Sequence, residues 1–158
     1  MKTISLTIAC IVFTVLLVAC GGGGSGAQKI EEKAPAEAAP KAQTVTLDIE
    51  MGDIYYGKTP DNATKPPVWE VTAGSTIKLN LKNNGALEHN WAIVKPGSEV
   101  PEPFIYEQSK DIILAETGLS PAGKTSNFDI TAPLPDEYKV ICTVAGHYPS
   151  MQGRLIVK

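Results

Sequence analysis

The chain has 158 residues, with 14 Lys or Arg against 17 Asp or Glu and a net charge of −3. An acidic balance of this kind argues against nucleic acid as a partner, and the length leaves room for one ordinary domain and not two. At the start, Lys2 is followed by an uncharged, mostly apolar run from Thr3 to Ala19. A basic start, a short apolar stretch and small residues at its end predict a signal peptide over residues 1–19 rather than a spanning helix. The run closes on Leu17-Val18-Ala19-Cys20, which resembles the bacterial lipobox and implies cleavage before Cys20 and lipid attachment to its sulfur. Residues 20–43 are mostly Gly, Ala, Pro, Glu and Lys, with Ile30 as the only large aliphatic side chain. Such a segment buries too little to offset ordering and is expected to be a flexible, lipid-anchored linker.

From residue 44 onward, apolar side chains recur at every second position. Val45, Leu47, Ile49 and Met51 share one face of a first strand, and Ile77, Leu79 and Leu81 one face of a second, ended by Asn83-Asn84-Gly85. A third is expected over His89–Val94. Others follow around Ile112–Leu114, Ser126–Ile130, Glu137–Cys142 and Gly153–Val157. Short strands at this spacing, punctuated by Pro and Gly, predict an all-β, antiparallel Greek-key sandwich of seven to eight strands over residues 44–158. The stretch Pro101–Glu116 leaves room for a helical turn.

Chemistry concentrates near the C-terminus, in Cys142-Thr143-Val144-Ala145-Gly146-His147-Tyr148-Pro149-Ser150-Met151. The only other histidine is His89. With Cys10 lost in the signal and Cys20 carrying lipid, Cys142 remains without a disulfide partner. A lone thiol in an oxidising compartment is exposed to oxidation unless it is shielded or bound to metal. One Cys, two His and one Met form the donor set of a blue-copper electron-transfer site, here His89, Cys142, His147 and Met151. Structural zinc sites gather more thiolates and do not use Met. Alternation puts Tyr138, Val140 and Cys142 on one inward face, and His89, Trp91 and Ile93 on another. Gly146 supplies the turn that delivers His147. Met51, on its alternating strand, reads as core.

The Cys142-x4-His147-x3-Met151 loop, the pair His89-Asn90 and the strand Gly153-x-Leu155-x-Val157 resemble cupredoxins of the azurin and plastocyanin superfamily, most of all the auracyanins. That resemblance implies one type 1 copper ion, with His89, Cys142 and His147 equatorial and Met151 a weak axial donor. It also implies that Asn90 ties the two ligand loops together, and that backbone N–H groups of Asn90 and Val144 bond the Cys142 sulfur. Glu88 stands where azurin has a glycine whose carbonyl oxygen lies near the metal, a departure that argues against a fifth ligand. The function expected is that of a membrane-tethered carrier shuttling one electron between redox complexes of a photosynthetic or respiratory chain. It would be a monomer, lipid-anchored on the extracytoplasmic or periplasmic face of the cell membrane. Electrons would pass through the solvent-facing edge of His147, inside a small apolar docking patch of Ala145, Tyr148, Pro149 and Leu87. A membrane-anchored copper trafficking or storage protein is the alternative. A multicopper enzyme is not expected, because two histidines cannot build further copper sites.

Overall fold

The computed structural model describes residues 43–158, so the signal peptide, Cys20 and all but the last residue of the linker lie outside the described residues. Among the described residues, no helix is long and apolar enough to cross a membrane.

Among the described residues, eight strands form two sheets. One sheet holds β1 (Thr44–Met51), β3 (Thr76–Asn83) and β6 (Thr125–Thr131), in the order β1-β3-β6. The other holds β2 (Val68–Val71), β4 (Ala92–Val94), β5 (Ile113–Glu116), β7 (Asp136–Ile141) and β8 (Gln152–Val157), in the order β2-β8-β7-β4-β5. The faces that meet are those the alternation marked. Ile49, Met51, Ile77, Leu79 and Leu81 from one sheet pack with Trp91, Ile93, Tyr138, Val140, Cys142 and Leu155 from the other. All of these are buried.

Three features depart from the expected pattern. The sandwich is not wholly antiparallel: β1 pairs with β3, and β2 with β8, in parallel. The chain leaves β1, crosses to the other sheet for β2 and returns as β3, so β1 and β3 run the same way. Side-chain alternation carries no information on strand direction. Alternation does not reveal the strand β2, because Val68-Trp69-Glu70-Val71 is too short to display a period. What identifies it is packing. Trp69 stands edge-on between Tyr56 and Trp91, with ring centroids 5.8 Å from each. Gly153 opposite must lack a side chain, since a Cβ there would lie 2.4 Å from the Trp69 ring.

The third departure concerns His89–Val94, where only Ala92–Val94 is strand. Upstream, the backbone finds other partners. His89 forms an isolated bridge with Ser120, the Trp91 N–H donates to Thr117 Oγ1 at 3.0 Å, and the Asn90 carbonyl accepts from Tyr56 Oη at 2.6 Å. Continuous burial has a cause as well. Ile93 faces the main core, while Ala92 and Val94 face a second cluster with Ile141 and Phe104. That cluster is covered by Val100, Tyr106 and Ile112, in the segment holding the one-turn helix α1 (Tyr106–Ser109) and the 3-10 turn after it. A strand buried on both faces shows no alternation.

Candidate metal centre

Cys142 is the first residue past β7, whose inward face is Tyr138, Val140 and then Cys142. Its thiol is therefore carried into the end of the core, with no exposed surface. Beyond it the chain folds into a tight loop held by its own backbone. The His147 N–H donates to the Val144 carbonyl at 3.1 Å, Met151 N–H to His147 at 2.7 Å, and Cys142 N–H to Met151 at 3.1 Å. Gly146, at φ +82°, makes the turn in the left-handed region that glycine favours. From the other side, the bridge to Ser120 positions His89.

The result is a convergence of donors. The two imidazole Nδ1 atoms lie 3.1 Å apart, and the Cys142 sulfur lies 3.4 Å from His147 Nδ1 and 3.9 Å from His89 Nδ1. Met151 is fully buried in the same core cluster as Cys142. An ion bonded to nitrogen at about 2.0 Å and to sulfur at about 2.3 Å would need these donor atoms about 3.3–3.7 Å apart. The observed separations bracket that value, so the donors fit a single shared ion. If both Nδ1 lone pairs face the ion, the ring protons sit on Nε2. The buried His89 Nε2 has no hydrogen-bond partner, although the nearby Gly52 carbonyl favours a charged ring.

Burial dominates the electrostatics. It pushes the Cys142 thiol up to about 11, against the backbone N–H groups of Asn90 and Val144, which favour the thiolate. His89 is lowered to about 4, first by burial and then by His147 beside it. His147 is lowered by burial too, opposed by the Glu88 carboxylate. Near neutral pH the metal-free site is thus an uncharged thiol facing two unprotonated nitrogens, and a cation entering it displaces the thiol proton.

Asn90 Nδ2 donates to Thr143 Oγ1 at 2.7 Å while the Thr143 N–H donates to Asn90 Oδ1 at 2.8 Å, so one side chain clamps the His89 and Cys142 segments together. Asn90 also bonds Tyr56 and, at 3.4 Å, Glu116 Oε2; partners this distant in sequence give no local signal. Glu88 is exposed. Of the patch residues, Leu87 and Ala145 are exposed, whereas Tyr148 and Pro149 are half-buried. Tyr148 packs against the second cluster and carries Lys139 over its ring. Leu119, 50% exposed and adjacent to the Ser120 bridge, joins this end unannounced by any motif.

Residues 60–158 match the model of copper binding proteins of the plastocyanin/azurin family. The chain belongs to that family. It is a cupredoxin. Auracyanin A of Chloroflexus aurantiacus is 32% identical over 156 residues, covering 90% of this chain and 89% of that protein. The solved structure of auracyanin A, described as a "blue" copper protein, superposes with a TM-score of 0.60 at 35% identity, over 73% of this chain and 99% of that one. Auracyanin from Roseiflexus castenholzii gives 0.58 at 28% identity, over 73% and 98%. The cofactor of this cupredoxin is one type 1 copper ion, for which the His89, Cys142, His147 and Met151 set is typical. It is a blue copper electron carrier, as its family is, and not an enzyme.

Proposed function

We propose that this cupredoxin is tethered to a membrane through a lipidated Cys20, on the extracytoplasmic or periplasmic face. There it shuttles single electrons between redox complexes of a photosynthetic or respiratory chain. The observation that carries the reading is the meeting of the His89, Cys142 and His147 donor atoms within 4.8 Å of one another, all buried. Likeness to the auracyanins, one of them solved after dithionite reduction, supports it. So does the lipobox-like Leu17-Val18-Ala19-Cys20 ahead of a polar linker.

When bound, copper alternates between Cu(II) and Cu(I) and so stores one electron. His89, Cys142, His147 and Met151 would hold it. The chain's own contribution is to keep those donors still. The Asn90–Thr143 clamp and the backbone bonds closing the 142–151 loop resist rearrangement as charge changes. Backbone N–H groups directed at the Cys142 sulfur stabilise its negative charge. Electrons pass at His147, which keeps 6% of its surface exposed while His89 keeps none. Leu87, Ala145 and Leu119 give the partner an apolar landing around it, with Tyr148 and Pro149 at the margin. Small contacts of this kind suit transient redox encounters.

Voltammetry of the copper-loaded chain, combined with a chelator challenge, tests this. A reversible one-electron wave with copper retained in excess chelator is expected. Rapid transfer of copper to the chelator, without a reversible wave, would instead establish a trafficking or storage protein.

A further inference from the structure

The end of the sandwich opposite the metal centre carries the most exposed large apolar side chain among the described residues. Leu134 is 80% exposed, between Pro133 and Pro135 in the loop leading into β7. Its backbone is fixed, because Tyr138 Oη donates to the Leu134 carbonyl at 2.7 Å. Two flanking prolines and that bond hold the side chain outward. Leu114, 43% exposed, and Pro96 border the same apolar recess. From Asp136 to Cys142 the strand rises about 20 Å, so this tip lies roughly that far from the copper donors.

The chain enters the domain at this same end. The Gln43 carbonyl accepts the Thr76 N–H, Thr44 pairs with Thr76, and Thr76 pairs with Thr131. Ala132 then donates to Ser75. Gln43 is thus two strand spacings, about 10 Å, from Ala132, the residue just before the Pro133-Leu134-Pro135 tip. Of the nearby lysines, Lys158 pairs with Glu70 at 2.7 Å and Lys78 with Asp129 at 3.9 Å. The Asp136 carboxylate, which accepts the Glu137 N–H, favours a shallow contact.

We infer that the Pro133-Leu134-Pro135 tip, with Leu114, rests on the phospholipid surface to which the chain is tethered, holding the copper end toward solvent. The inference builds on the lipid tether proposed above. A tether keeps the domain at millimolar effective concentration near the bilayer, so a contact worth about tenfold is enough to set its orientation. Because the contact is apolar, salt should leave it unchanged. His147 would then face the aqueous phase at a fixed height, where the extramembrane parts of redox complexes meet it.

The test uses the mature, lipidated chain on phosphatidylcholine nanodiscs containing nitroxide-labelled lipid, read by methyl NMR. Flotation with phosphatidylcholine vesicles reports the tether separately. Leu134 and Leu114 methyl signals should be strongly attenuated while Leu87 and Leu119 keep theirs, and Leu134→Asp should abolish that difference without preventing flotation. Flotation with equal attenuation at both ends, or more at Leu87, overturns the contact and leaves the tether standing. Flotation with Leu134 untouched overturns it likewise, and indicates that a second copy or a protein covers the tip. Failure to float removes the tether and the contact together.

Discussion

The end of the sandwich that holds Cys142 and the end that holds Leu134 are made by the same strands, yet they are stabilised differently. At the first, His89, Asn90, Ser120, Thr143 and His147 are buried polar residues cross-linked to one another or to backbone. At the second, Ser75 is buried and donates to the Thr72 carbonyl, while the large apolar side chain of Leu134 faces solvent. Buried polar groups are costly unless satisfied. Their concentration at one end marks where the fold spends stability on geometry rather than on burial.

That contrast can be broken or sharpened, and pH should act most strongly. With His89 lowered to about 4, the unfolded metal-free chain binds more protons than the folded one between about pH 6.5 and 4. The stability from keeping His89 neutral is present above about 6.5 and lost as pH falls through 4. A loss of about 3 kcal/mol is expected in denaturant titrations of the metal-free chain, and His147 acts in the same direction. The raised Cys142 pKa gives the opposite limb, a decline as pH climbs toward 11. Asn90→Ala comes next. It removes both bonds to Thr143 and leaves that residue's N–H buried, for a loss of about 2–3 kcal/mol by denaturant midpoint, with faster copper release. Tyr56→Phe should cost about 1–2 kcal/mol, since the Asn90 carbonyl loses its 2.6 Å donor. Leu134→Ser should be the smallest, within about 0.5 kcal/mol in solution. If Leu134→Ser cost as much as Asn90→Ala, the contrast between the two ends would disappear.

Much of this was legible in the sequence, and the exceptions have physical reasons. Alternation exposes a strand when one face is buried, so β1, β3 and β7 were plain from Ile49, Leu79 and Val140. It fails for a four-residue strand such as β2, and it misplaces an edge where backbone bonds go to side chains, as at Asn90 and Trp91. The donors were readable because chemistry restricts them: few side chains can replace a thiolate or an imidazole. Their supports were less so. Asn90 follows His89 directly, but Thr143 Oγ1 and Tyr56 Oη reach it only through the fold. Leu119 joins the metal end because Ser120 bridges His89, a pairing no local pattern announces.

Titration of the metal-free chain with Cu(II), followed in the visible, tests the central claim most directly. One equivalent should produce an intense thiolate-to-copper band in the native chain and none in Cys142→Ser. A native chain that takes up copper without that band, or a Cys142→Ser variant that retains it, would contradict the convergence of His89, Cys142 and His147 on one ion.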